Sequence, residues 1–514
     1  MDLLNELADL NIAPAAMARV QALFAQQQAK LAQRYAVLAE KDFKITALTH
    51  ELAYYKRVRF GKASEALVGE QRLLLFEETV DTDLAAIDEE LEAQAPVKRQ
   101  RKRAGRQPLP THLERIEHRH EPEPCQCGQC GADLVKIGED ISEQLDVEPA
   151  RFFVHRHIHP QYAGRPCETV TAAPIPPAVI DGGMAAVGLL AWIAVCKYLD
   201  HLPLYRIEQI AARDGVPLAR STLGEWIGRI GVALQPLADR LAELLRERSC
   251  LHADETPVRQ LDPGSGKTKY AYLWAYRSNA LDDGPSMVVF DYQTSRAGAH
   301  ARAFLQDWGG HLMVDDYVGY KALCTAGPTE LACLAHIRRK FFDVHAASGS
   351  PVAADALRRI GQLYAVEQQA AGMPPPQRAA LREQHARPVL VDLHAWLLAS
   401  QRSVAVGSGT AKAIEHALKR WPALQRYAGS GSLPIDNNPV ENAIRPIAIG
   451  KKNWLFAGSE RAGRRAAAIQ SLFATAKLNG LDPARWLADT LEKLPTCPNS
   501  KIDSLLPFAN STQR

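Results

Sequence analysis

The segment YAYLWAY, residues 270 to 276, puts Tyr270, Tyr272, Trp274 and Tyr276 on one side of an extended chain and Ala271, Leu273 and Ala275 on the other. Alternation of this kind has the period of a strand, and no helix reproduces it, so a half-buried strand is predicted here. The flanking segments fit around it. SCLHADETPVRQL, from Ser249, reads as a strand carrying Asp254, and SMVVFDY reads as a third strand. AGAHARAFLQDW is helical in composition, and HLMVDDYVGY is a short apolar strand ending at Asp315-Asp316. ELACLAHIRRKF is a strand running into a helix.

Three strands linked by hairpins, a helix, then a strand with an acid at its end is the order of a ribonuclease-H-like α/β fold. In such a sheet the first acid sits on the first strand and the second at the end of the fourth, beside it. The Ala-, Leu-, Arg- and Gln-rich stretch from 353 to 427 reads as a helical insertion before a last helix starting at Asn438-Pro439 in PIDNNPVENAIRPI. Glu441 falls on the first turn of that helix. Carboxylate oxygens are the hard ligands that hold Mg²⁺, and two such ions suit in-line phosphoryl transfer. Asp254, Asp315 and Glu441 are therefore the candidate ligands. Glu255, Asp316 and Asp436 compete with them, and alternation does not separate Asp316 from Asp315. PGSGKT, residues 263 to 268, lacks the first glycine of a phosphate-binding loop and lies between strands, so it reads as a hairpin loop.

A chain of 514 residues, 46% hydrophobic and 23% charged, is globular in composition and long enough for about three domains. The apolar run from Met184 to Cys196 is too short to span a bilayer, and MDLLNELADL lacks a basic leader, so neither membrane nor secretion is expected. The net charge of +3 conceals segregation. Ten acids and one base lie between Glu65 and Glu92, and KRQRKRAGR at 98 to 106 follows with six bases. This reads as an acidic then basic linker, with Arg101 and Arg103 either part of the connector or phosphate contacts. Upstream, Met17, Phe24, Leu31, Leu38, Ile45 and Leu52 recur every seventh position, which suggests a dimerising coiled coil or a single amphipathic helix.

Nine cysteines are no disulfide framework in a chain this long. Cys127 and Cys130 form a CxxCG knuckle of zinc-ribbon type, with Cys167 as a third ligand for structural Zn²⁺. Gly164 stands where a fourth thiolate is expected; Cys125, His159 and His157 are the alternatives. After a proline-rich boundary at 172 to 183, residues 202 to 231 show two helical patterns broken at Asp214-Gly215-Val216-Pro217. They read as a helix-turn-helix with Ser221 as cap, Thr222 just inside the second helix and Arg220 beside it, or as a helical hairpin in a core. Beyond Glu441, residues 445 to 465 carry Arg445, Lys451, Lys452, Arg461, Arg464 and Arg465 against Glu460. Trp454 and Phe456 lie among them, as base-stacking rings or as core. The tail from Pro498 reads as frayed.

HADETPV, VDDYVGY, CLAHIRRKF and LPIDNNPVENAIRPIAIGKKNWLFAGS together resemble the transposases of the insertion-sequence 66 family, and the likeness extends over almost the whole chain. The resemblance implies a DDE transposase whose triad matches Asp254, Asp315 and Glu441. It implies two Mg²⁺ ions, with Mn²⁺ as a substitute, cutting element ends and joining them to target DNA. It also implies protomer pairing through the N-terminal coil, small accessory proteins from the same element and a bacterial cytoplasmic, nucleoid-associated location. Two departures stand out: Gly164 replaces a common cysteine, and Asp316 replaces a common glycine. The expected organisation is a coil at 1–60, the linker at 61–110 and a zinc-ribbon-like module at 111–175. A helix-turn-helix region at 176–245 follows, then the catalytic domain at 246–470 with its insertion at about 345–430, and a C-terminal extension at 471–514. The rival readings are a non-catalytic DNA-binding regulator and a nuclease without strand transfer.

Overall fold

The computed structural model describes residues 109–120, 135–148, 151–164 and 169–508 apart from 263, 264 and 326, with six isolated helical positions between 19 and 34. Leu31, one of the heptad residues, is helical and 48% exposed. The other heptad residues (Met17, Phe24, Leu38, Ile45 and Leu52), Arg101 and Arg103 in the basic run, and Cys125, Cys127, Cys130 and Cys167 lie outside the described residues.

The first sheet comprises β1 (Arg115–Arg119), β2 (Val135–Glu148), β3 (Arg151–Gly164) and β4 (Thr169–Ala172). β3 is central, parallel to β1 and antiparallel to β2 and β4. The two-residue period gathers His155, His157 and His159 on one face, beside His118 and His120. His118 Nε2 lies 2.8 Å from His155 Nδ1, and His120 Nε2 lies 3.2 Å from His157 Nδ1. The rings of His120 and His159 stack at 4.6 Å, and Asp146 Oδ2 takes the outer nitrogen of His155 at 2.7 Å. Burial, then the surrounding imidazoles, pushes His157 down to about 4.

Three helices follow: α1 (Val187–Tyr198), α2 (Leu204–Arg213) and α3 (Arg220–Arg246). α1 is apolar nearly all round and is buried accordingly. The turn after α2 passes through Gly215 at φ 74°, a conformation that favours glycine. The expected cap at Ser221 is corrected: the helix begins at Arg220 with Ala219 as its N-cap, so Ser221 is already inside it. α3 runs for 27 residues, and Trp226, Ile227, Leu234, Leu237 and Leu241 bury its inner face.

The second sheet is laid down by β5 (Cys250–Asp262), β6 (Lys267–Ser278), β7 (Val288–Gln293), β8 (His311–Val314) and β9 (Thr329–Ala332). Helices α4 (Gly298–Leu305) and α5 (Val318–Cys324) interrupt them, and α6 (Leu334–Ser348) follows β9. Spatial order is β7-β6-β5-β8-β9, antiparallel among β5, β6 and β7 and parallel from β5 to β8 to β9. The half-buried reading of YAYLWAY is corrected. Only Tyr270 is widely exposed at 54%, whereas Trp274, Tyr276, Ala271 and Ala275 are all buried, because helices cover both faces of the sheet. Alternation records which residues share a face, not whether the other face is covered.

The insertion is α7 (Pro351–Gln369), α8 (Pro375–Leu381), a π-turn at Arg382–Ala386, α9 (Arg387–Gln401) and α10 (Gly409–Leu424). It packs around Ile360, Leu363, Leu390, Leu393 and Ile414 and joins the Met313–Leu331 edge of the sheet. Arg382, with no exposed surface, pairs with Glu367 at 2.6 Å and donates to the carbonyls of Tyr427 and Leu433. α11 (Asn438–Trp454), α12 (Glu460–Leu478) and α13 (Pro483–Lys493) complete the order. The frayed tail is also corrected, as far as residue 508. Leu505 and Leu506 are buried, Trp486 Nε1 donates to the Leu505 carbonyl at 3.1 Å, and Arg240 pairs with Asp503 at 2.7 Å. Among the described residues no helix is long and apolar enough to cross a membrane.

Candidate active site

β5 and β8 pair in parallel with His252 opposite Met313, and that register carried on two residues brings Asp254 level with Asp315. Asp254 shares its strand face with His252 and Thr256, the face against which α11 packs through Val440, Ile444 and Ile447. Asn437 makes that packing specific. It is fully buried, donates from Nδ2 to the Ala253 carbonyl at 2.8 Å, and sets Oδ1 3.0 Å from His252 Nδ1. Its backbone N–H also donates to Cys333 Sγ at 3.1 Å. One residue, through its side chain and its backbone N–H, thus ties β5 and the start of α6 to the start of α11, and Glu441 follows on the first turn of α11.

Burial, then Glu255, with Asp315 and Glu441 further out, pushes the Asp254 carboxyl up to about 7. Its one hydrogen bond is from the Glu255 backbone N–H at 2.8 Å. Asp315 accepts the Tyr317 N–H at 2.9 Å. Glu441 Oε1 is shielded from solvent without a hydrogen-bond partner, 3.7 Å from His336 Nδ1. Among the described residues, no lysine or arginine pairs with any of these three acids.

The neighbouring acids are built differently. Glu255 points to the opposite face, where Arg296 grips it at 2.5 and 2.7 Å and the Tyr320 hydroxyl donates at 2.9 Å. Asp316 meets Lys321 at 2.5 Å and His416 and Arg420 at 3.4 Å. Against the opposing push of burial, the Lys321 ammonium and the Arg420 guanidinium hold its carboxyl below the usual range. Asp436 accepts from the Tyr364 hydroxyl at 3.0 Å and caps Asn438.

A cleft of about 610 Å³ opens beside Glu441, lined by His336, Arg338, Arg339, Phe342 and Arg445. Of the basic residues singled out beyond Glu441, Arg445, Lys452 and Arg464 are exposed, whereas Arg465 is buried. Lys451 donates to the Pro257 carbonyl of β5 at 2.9 Å, and half-buried Trp454 packs on the core beneath α11. Arg220 is paired to Glu208 at 2.9 Å, and Thr222, two residues on, is partly buried. Sequence reasoning missed Asn437, Arg338, Arg339 and Phe342. The signal lay in IRRKF, whose exposed Arg338, Arg339 and Phe342 fall along one side of α6.

Comparison with known proteins agrees with the sequence resemblance. Residues 182–465, which hold the whole five-stranded sheet and its insertion, match the Transposase IS66 family. Residues 471–508 match the IS66 C-terminal element, 124–168 the zinc-finger binding domain of transposase IS66, and 47–117 the Transposase C of IS166 homeodomain. Similar proteins from Sinorhizobium fredii (strain NBRC 101917 / NGR234) include uncharacterized protein y4qI, 39% identical over 90% of this chain and 89% of its own length. Uncharacterized protein y4jD is 38% identical over 90% of this chain and 94% of its own. The molecule is a transposase by class, carrying zinc-finger and homeodomain regions of DNA-binding type. The chain belongs to the IS66 transposase family.

Proposed function

We propose that this chain is a DDE transposase that cleaves insertion-sequence ends and transfers the strands to target DNA, with Asp254, Asp315 and Glu441 as the metal-binding triad. The observation that carries the reading is the contrast in partners. Glu255 and Asp316 are each neutralised by cations, while the triad acids, each partly exposed, have no lysine or arginine partner among the described residues. Hard oxygen donors in that state fit Mg²⁺, with Asp254 shared between the two flanking acids. Bound there, Mg²⁺ supplies activation of a water or 3′-hydroxyl and stabilisation of the leaving oxygen. A central strand flanked by an antiparallel hairpin on one side and parallel strands on the other supports the ribonuclease-H-like reading.

The remaining residues serve the DNA. Arg445 and Lys452 contact phosphates across the cleft, Lys451 steadies the carboxylate strand, and Trp454 supports the α11 end beside them. Arg220 and Thr222, with Arg101 and Arg103, contribute to end binding. Cys127, Cys130 and Cys167 hold a structural Zn²⁺, and the N-terminal heptads pair protomers. An oligonucleotide strand-transfer assay in Mg²⁺ tests the reading. Asp254→Asn should lower cleavage roughly a thousandfold, about 4 kcal/mol of transition-state stabilisation, while DNA binding stays near the parent's. A variant that cuts as well as the parent sinks the assignment. Binding without cleavage in the parent itself would point to a regulator, and cutting without joining to a nuclease.

A further inference from the structure

Cys333 is the N-cap of α6 and His336 lies within its first turn, a Cys-x-x-His spacing that one helical turn brings to the same side. Glu441 arrives from the first turn of α11. One ligand atom from each of the three lies within 4.8 Å of the others. Ligand atoms around a tetrahedral zinc-type ion, bonded at about 2.0–2.3 Å, stand somewhat closer than that, so a small inward shift of side chains completes the set. We propose that Cys333, His336 and Glu441 form a site for one soft divalent cation of the zinc class, which shares Glu441 with the Mg²⁺ site and excludes its use there.

Three observations support the site. His336 Nδ1 and Glu441 Oε1 are both shielded from solvent with no hydrogen-bond partner, although they lie 3.7 Å apart. Two such atoms are costly in a purely structural arrangement, and a cation satisfies both. The Asn437 N–H directed at Cys333 Sγ is a supporting bond of the kind that orients a thiolate ligand, and the α6 N-terminus favours negative charge there. The 610 Å³ cleft reaches His336 and Glu441, leaving a coordination position open to water. Sulfur and nitrogen donors select zinc-like ions, whereas Mg²⁺ demands oxygen. Binding displaces the thiol proton to solvent. The effect on catalysis rests on the role proposed for Glu441; the binding itself does not.

The test uses the full chain, stripped of metal and titrated with Co²⁺, in a Cys125→Ser/Cys127→Ser/Cys130→Ser/Cys167→Ser background that removes the zinc-finger thiolates. A thiolate–cobalt absorption band should remain, disappear in Cys333→Ser, and require at least about tenfold more Co²⁺ in His336→Ala, with far-UV circular dichroism confirming the fold. His336 is partly exposed, so its variant keeps the test open if Cys333→Ser fails to fold. No band in that background, or a band indifferent to both changes, overturns the site. In strand transfer at fixed Mg²⁺, Zn²⁺ should inhibit the parent and inhibit His336→Ala at least about tenfold less well; equal inhibition also counts against it. Should Asp254→Asn transfer strands normally, the catalytic reading fails while the cobalt result stands. Unchanged cobalt spectra with normal Mg²⁺ chemistry reverse that outcome.

Discussion

Each of the two sheets gathers ionisable side chains on one face, and each resolves the crowding differently. In the first sheet His118 pairs with His155 and His120 with His157, since a neutral ring both donates and accepts, while His159 stacks on His120 and keeps a buried, unpartnered Nδ1. On β5 and β8, the carboxylates cannot do this, because an ionised carboxylate only accepts. The first cluster is paired largely within itself, with Asp146 as its outer acceptor and His159 Nδ1 left over; the acids of the second have no lysine or arginine partner among the described residues. Parallel strand pairing therefore gives a largely self-paired ladder in one sheet and a set of acceptors without cations in the other, and the side chain's donor inventory decides which.

The contrast breaks first at the carboxylates. If they were as self-sufficient as the ladder, Glu441→Gln would be tolerated; instead strand cleavage should fall roughly a thousandfold, read on labelled end oligonucleotides. Next comes Asn437, for which the ladder has no counterpart. Asn437→Ala leaves the Ala253 carbonyl and His252 Nδ1 buried without their partner, which should cost about 2–3 kcal/mol in urea unfolding.

The pH response sharpens the comparison, because the two sheets have opposite signs. His157 titrates near 4 when folded against an ordinary 6.5, so the unfolded chain binds more protons between those values. Stability in chelator should rise with pH through that window, and His157→Gln should flatten the rise. Asp254 sits near 7 against an ordinary 3.8, so there the folded chain holds the extra proton. Its contribution is present below about 4 and is lost as pH rises through 7, and Asp254→Asn should remove that loss. Urea midpoints across pH 4 to 8 read both limbs. The smallest effect is expected at Asp316, whose charge Lys321 and Arg420 already absorb. Asp316→Asn should change cleavage far less than Asp315→Asn in the same assay.

The strand segments of the second sheet and the positions of Asp254, Asp315 and Glu441 could be read from alternation and order. What local pattern could not supply came from distant partners. Arg420 reaches Asp316 from the insertion, so nothing around VDDY separates the two aspartates. Tyr276 is buried because Phe304 stacks on it at 3.9 Å, a contact that period-two reasoning does not contain. HRH at 118 and HRHIH at 155 show their alternation plainly, but only the parallel register of β1 on β3 makes them one cluster. The tail looked polar, yet Leu505 and Leu506 anchor it, and two apolar residues outweigh the average of their neighbours.

The insertion between β9 and α11 has a consequence in time. The ribosome releases Asp254 and Asp315 early, and the stretch from Asp315 to Glu441 takes about 6–25 s to synthesise at ordinary elongation rates. A nascent or prematurely terminated chain therefore carries two carboxylates and lacks the third. Because Asn437 arrives together with Glu441, the tie to β5 forms only when the last acid has been made. On the proposed triad, such a chain holds no complete metal site until residue 441 has been made.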